Sequence, residues 1–143
     1  MKPRSDPAHL RWIRTLRCVV CGSTRYVEAA HTGPRGLGQK SADSTAIPLC
    51  VRHHRTANDS YHKLGPRKFP EAHRLKITQI LNALNAKPTI RVVAGVFIGT
   101  VRDDCYQLGP TEQGLSQAVS RLIVLRRAVV RQQFEDMFWR EVS

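Results

Sequence analysis

The chain has 143 residues, with 23 Lys and Arg against 11 Asp and Glu and a formal charge of +12 with neutral histidines. That length suits one compact domain with an appendage, or two small subdomains, and needs no disulfide framework to fold. No run of about 18 apolar residues exists to span a membrane, the first residues lack the apolar core of a signal peptide, and the excess positive charge points to a polyanionic partner, phosphate backbone above all.

Residues 1 to 7 read as a basic arm. Asp6 is placed to cap a helix from about Pro7 to Thr15, with Pro7 at its first position. Leu10, Trp12, Ile13 and Leu16 would face inward, and Arg11, Arg14 and Arg17 outward. A Cys18-to-Cys21 knuckle leads into a strand over Tyr26 to His31. Residues 32 to 45 are rich in Gly, Pro and Ser and read as a long loop, with Arg35 and Lys40 suited to contact phosphate. A second strand covers Ala46 to Leu49, and a helix is expected from about His53 to His62. Gly65-Pro66 breaks the chain. Helices follow at Phe69 to Leu75 and Thr78 to Ala86, the second capped by Thr78. Lys87-Pro88 marks a linker.

Three short strands come next, at Ile90 to Val93, Val96 to Val101 and Cys105 to Leu108, turning at Ala94-Gly95 and Arg102-Asp103-Asp104. Cys105 reads as a small buried apolar residue. Thr111 would cap a last helix reaching about Arg140. Its apolar stripe is expected to include Leu115, Val119, Leu122, Ile123, Val129, Val130, Phe134 and Phe138. The expected architecture is α+β: a zinc-stapled N-terminal part over residues 1–86, and a strand-and-helix extension over 87–143 of unassigned role, with a small antiparallel sheet and a long helix.

The densest chemistry lies between Arg17 and Gly65. Cys18-Val19-Val20-Cys21 is answered by Cys50-Val51-Arg52-His53, and two such pairs can close one tetrahedral zinc site. The C-x2-H spacing favours His53 over His54 as the fourth ligand. The 28 residues between Cys21 and Cys50 become a loop pinned at both ends. His31 sits inside that loop, and His54 and His62 lie just beyond it. His54 and His62 are candidates for a second, catalytic ion. On one unbroken helix they would stand about 12 Å apart along the axis, so the helix must end or tighten before His62 if both bind one ion. Asn58 competes for that place at an i, i+4 spacing from His54.

These residues resemble the HNH nucleases, which carry the ββα-metal motif, and most nearly the phage and prophage recombination-enhancement (Ref-like) members. The resemblance covers about a third of the chain, through Ala30-His31-Thr32-Gly33-Pro34-Arg35-Gly36, Lys40-Ser41-Ala42-Asp43, Ile47-Pro48-Leu49-Cys50, His53-His54-Arg55 and Ser60-Tyr61-His62-Lys63-Leu64-Gly65. It implies that His31 is the general base that activates water and that products carry 5′-phosphate and 3′-hydroxyl ends. One departure is Ala30, where many relatives have an acidic residue or histidine that helps hold the ion. The ion would then have fewer protein ligands, or Glu28, Asp43 or Asp59 would have to reach in; the alternative role for Asp43 is to orient His31, as the family's central polar residue does.

The expected function is a metal-dependent DNA endonuclease with a structural zinc and a catalytic Mg, Mn or Zn ion. A divalent ion at His54 would stabilise the leaving oxygen, and Arg35, Lys40, Arg52 or Arg55 would clamp the phosphate. The resemblance raises recombinase-coated single-stranded DNA as a further partner. The expected setting is the cytoplasm of a bacterium or phage-infected host, which suits four cysteines without a disulfide pattern. The alternative is a zinc-stabilised DNA-binding accessory or regulatory module without catalysis. A zinc-dependent protein-interaction domain fits the basic charge least. Cleavage preference and oligomeric state are left open.

Overall fold

The computed structural model describes residues 5–34, 40–86, 88–101 and 104–139. The start of the expected basic arm, Arg35, Lys87, the turn residues Arg102 and Asp103, and the expected helix end at Arg140 lie outside the described residues.

Helix α1 spans Pro7–Ile13 and begins as its sequence requires: the Asp6 side chain accepts a hydrogen bond from the His9 amide at 2.9 Å, and proline occupies the first turn. It buries Trp12 and Ile13, while Arg11, Arg14 and Arg17 face solvent. Strands β1 (Val27–His31) and β2 (Ala46–Cys50) form an antiparallel hairpin, with Val27 opposite Cys50 and His31 opposite Ala46. All five β2 residues are buried, because α1 packs on this hairpin and α3 (Ile77–Leu84) packs on β2.

Between β2 and α3 the chain differs from expectation. The single helix expected over His53 to His62 is two pieces. A π-helical turn covers Arg52–Thr56, and Ala57 then goes extended (φ −70°, ψ 157°). Helix α2 (Tyr61–Ala72) starts afresh behind Ser60 and bends at Gly65, whose φ of 76° suits a residue without a Cβ. Gly65-Pro66 thus breaks the helix internally.

Strands β3 (Thr89–Val93), β4 (Val96–Val101) and β5 (Asp104–Pro110) make an antiparallel meander in that order. The β3–β4 turn is Ala94-Gly95, both with positive φ (50° and 73°), the geometry that matches the twist of a tight hairpin. Helix α4 (Leu115–Trp139) closes the fold, and it lies so near β4 that a Cβ on Gly99 would fall 2.5 Å from a Leu122 methyl. One buried cluster runs from Trp12, Ile13 and Leu16 through Leu49, Phe69 and Leu84 to Leu122, Val130 and Phe134. No helix among the described residues is long and apolar enough to cross a membrane.

Several local expectations need correction. Residue 105 is exposed, because β5 is an edge strand and Cys105 stands on its outer face opposite Thr100. Helix α3 begins at Ile77, so Thr78 lies inside it and the preceding Lys76 makes no side-chain cap. Thr111 opens a separate 3₁₀ turn (Thr111–Gln113), divided from α4 by Gly114 at φ 82°. The buried stripe of α4 is Ala118, Leu122, Val130 and Phe134, whereas Leu115, Val119 and Ile123 are exposed.

Arg126 occupies the missing step of that stripe, four residues from both Leu122 and Val130. Its guanidinium donates to the Leu84 and Ala86 carbonyls at 2.8 and 2.7 Å and lies 5.6 Å from the Trp12 ring centroid. It therefore caps the C-terminus of α3, where carbonyls lack helical partners and the helix dipole favours a cation. Arg17 with Glu135 (3.2 Å) and Arg131 with Thr15 (2.8 Å) join α4 to the α1 segment as well.

Replacing Arg126 by Met keeps its length and removes both carbonyl bonds. Denaturant unfolding is expected to show a loss of about 2–3 kcal/mol; an unchanged midpoint and slope would contradict this capping role. A second expectation concerns pH. His9 packs against Trp12 with ring centroids 5.6 Å apart, and its Nε2 is buried without a hydrogen-bond partner among the described residues. Burial lowers its pKa below the ordinary 6.5; Asp6 opposes that and Arg126 adds to it. A histidine favoured neutral in the fold contributes stability that is complete above its unfolded pKa and lost as pH falls through the lower folded value. Between pH 7 and 5, His9→Phe is therefore expected to lose less stability than the wild type, and equal slopes would refute this.

Candidate metal centre and the imidazoles around it

The first knuckle is built by main-chain bonds. The Cys18 amide donates to the Ser23 carbonyl and the Gly22 amide to the Cys18 carbonyl, each at 2.9 Å, while Gly22 takes a φ of 70°. The Val19 amide donates to the Pro48 carbonyl at 3.1 Å, tying this turn to β2. The register that sets Val27 against Cys50 then delivers the third cysteine to the same place.

Sγ of Cys18, Cys21 and Cys50 and a ring nitrogen of His53 all lie within 4.8 Å of one another. Cys21 and Cys50 sulfurs are 3.8 Å apart, and His53 Nδ1 is 3.7 Å from Cys18 and 3.2 Å from Cys50. A tetrahedral zinc site with ordinary bond lengths has edges of ~3.8 Å between sulfurs and ~3.6 Å between sulfur and nitrogen. The four side chains are positioned to bind a metal such as zinc. Burial pushes the Cys18 thiol up to about 12, so without a cation this pocket disfavours the thiolate, and a bound dication supplies the missing charge. Burial, and then the neighbouring His73, lower the His53 pKa, which keeps the ring neutral as a ligand must be. His73 stands edge-on to His53 with centroids 5.5 Å apart and donates from Nε2 to the Asp59 carbonyl at 2.9 Å.

The π-helical turn separates His53 from His54. His53 points into the clasp and is 5% exposed. His54 turns toward β1, where its Nδ1 donates to Glu28 Oε2 at 2.6 Å, and Arg55 pairs with the other Glu28 oxygen. Burial raises the Glu28 pKa, but the bonds from His54 and Arg55 outweigh it, and the carboxyl sits below its usual range. Burial also lowers the His54 pKa, against the pull of Glu28. The break at Ala57 brings His62 back beside His54, with ring centroids 4.6 Å apart and planes at 72°.

His31, at the end of β1, donates from Nε2 to Asp43 Oδ1 at 2.9 Å. Asp43 is itself held by the Asp6 amide at 2.6 Å and by the Ser5 hydroxyl at 3.5 Å. Burial raises the Asp43 pKa, but its bonds to His31 and Asp6 hold the carboxyl below the usual range. An open groove of about 650 Å³ runs beside this end of the hairpin, bounded by Thr32, Pro34, Tyr61, His62 and Arg67.

The remaining candidates lie at the surface. Asn58 is exposed and accepts from Lys63 Nζ at 3.1 Å; it stands beyond the end of the π-helical turn, so the assumed helical spacing from His54 is absent. Lys40, Arg52 and Arg55 are exposed. Ala30 is fully buried, and its methyl group presents no ligand. Two contributors were hard to find by motif: Glu28, whose role depends on the hairpin register, and His73, which lies beyond the clasp in sequence.

Fold and site define an α+β protein with a cluster of three cysteines and one histidine positioned to bind a metal such as zinc. The chain belongs to the family described as a protein of unknown function, DUF968, whose model matches residues 2–87. That span contains the clasp, His31, Asp43, His54 and His62, and it ends before β3. No curated protein and no solved structure matches the chain.

Purified protein is expected to carry one tightly held zinc per chain by elemental analysis. Structural zinc in small domains is worth roughly 10–16 kcal/mol, comparable to the whole stability of a domain. Stripping the metal, or Cys50→Ser, should therefore abolish the cooperative melting of the N-terminal half. Unchanged melting after complete metal removal would refute a folding role.

Proposed function

We propose that this protein is a metal-dependent DNA endonuclease of the HNH type. The observation that carries the reading is the pairing of His31 with Asp43 beside the groove that His62 borders. With Nε2–H donating to a carboxylate, the lone pair of His31 lies on Nδ1, the state a general base needs. Asp43 fixes that tautomer and holds the orientation of the ring.

His54 and His62 suit a divalent ion. Their rings are adjacent, and His54 donates its other nitrogen's proton to Glu28, the carboxylate–histidine arrangement common behind metal ligands. Such an ion, when bound, supplies positive charge for the scissile phosphate and the departing 3′ oxygen. Lys40 and Arg52, both exposed, are suited to draw the substrate backbone in, and Arg67 borders the groove itself. The charge of +12 supports a nucleic-acid substrate over a neutral one. Dependence on recombinase-coated strands belongs to the resemblance alone and adds nothing to the mechanism.

The test is nicking of supercoiled plasmid by zinc-loaded protein with Mg, Mn or added Zn. Loss of a positioned general base typically costs about 10²–10⁴-fold, so His31→Ala should fall by at least 10²-fold while keeping its zinc and its melting temperature. If wild type and His31→Ala leave DNA equally intact with every ion, the enzymatic reading fails and a zinc-stabilised DNA-binding module takes its place.

A further inference from the structure

We propose that an arginine-lined groove between α1 and α4 binds the sugar–phosphate backbone of DNA. The groove holds about 480 Å³, and its charged lining consists of Arg11 from α1 and Arg127 and Arg131 from α4, with Trp12, Thr15 and Val124 between them. No carboxylate lines it. Arg11 and Arg127 enter no ion pair among the described residues. Arg131 donates to Thr15, which leaves most of its five N–H donors for a ligand.

Arg127 and Arg131 stand one helical turn apart on α4 and so share a face. Guanidinium groups form paired hydrogen bonds to phosphate oxygens, which suits a row of three to a phosphodiester chain. The positive charge is crowded here: Arg126 is pulled below its ordinary pKa first by burial and then by Arg127. An external polyanion relieves that repulsion.

A second depression adjoins the groove through Ala8 and Arg11 and reaches Asp6 and Ser44, with His9 and Arg126 also on its wall. The Asp6 carboxylate there caps α1, so the carboxylate-free, cationic lining is confined to the first groove. Backbone binding in the groove does not depend on the nuclease reading. It gives α4, which lies outside the family match, a part in substrate capture.

The test is fluorescence anisotropy with a labelled duplex of about 20 base pairs, using zinc-loaded full-length protein without other divalent ions, across a salt series. Arg11→Ala/Arg127→Ala should bind roughly tenfold more weakly near 0.1 M salt. Its log–log salt slope should be shallower by about 2, at ~0.9 per lost phosphate contact, with zinc content and melting unchanged. Arg11→Lys/Arg127→Lys should retain most of the slope, separating charge from folding. Wild-type affinity and slope in the Ala variant would overturn the proposal. So would unchanged DNA binding combined with lost binding to polyglutamate, which would assign the groove to an acidic protein. Absence of nicking by wild type, with the binding loss intact, would remove the nuclease reading and leave the groove assignment standing.

Discussion

The convergence of Cys18, Cys21, Cys50 and His53 is the constraint on which the β1–β2 hairpin and the imidazoles beside it depend. A two-stranded hairpin of five residue pairs is marginal alone in water. Joining a turn before β1 to a turn after β2 fixes both strands and brings residues 35 positions apart into contact. The hairpin then presents β1 as a rigid rail. Glu28 near one end meets His54, and His31 at the other end meets Asp43. Packing of α1 and α3 on β2 supplies the apolar burial that the clasp alone lacks.

The π-helical turn is the second constraint. In an ordinary helix successive side chains diverge by about 100°; here His53 enters the metal clasp and His54 leaves it for Glu28. The extended residues after the turn return the chain, so that His62 meets His54 although a continuous helix would separate them by about 12 Å. Local departures from regular helix often accompany functional sites. One short segment thus joins a folding element to a candidate reaction centre, and a change in the clasp would displace His54 through its neighbour His53.

Much of this was legible in the sequence, and the reasons differ by element. The clasp ligands were readable because metal spacing is local and chemically specific. The Asp6 cap and the Ala94-Gly95 turn were readable because each depends on a few adjacent residues. The break before His62 could be stated only as a condition, since no Gly or Pro marks Ala57. Glu28 needed the hairpin register to find its partner. Leu122, Val130 and Phe134 of the expected α4 stripe are buried and Val129 and Phe138 pack against the core, but Leu115, Val119 and Ile123 are exposed, because apolar residues lie on two faces of that helix and Arg126 fills a core-facing step by bonding to carbonyls of α3. Cys105 was misjudged because edge-strand exposure is a property of the sheet and not of the residue.

The central claim is that one ion joins the two knuckles through three sulfurs and one imidazole. X-ray absorption at the zinc edge of the purified protein measures that directly. Three sulfur neighbours near ~2.3 Å and one nitrogen near ~2.0 Å are predicted, with the nitrogen contribution lost in His53→Ala and retained in His54→Ala. A shell dominated by oxygen and nitrogen, or a nitrogen that disappears in His54→Ala, would contradict the account.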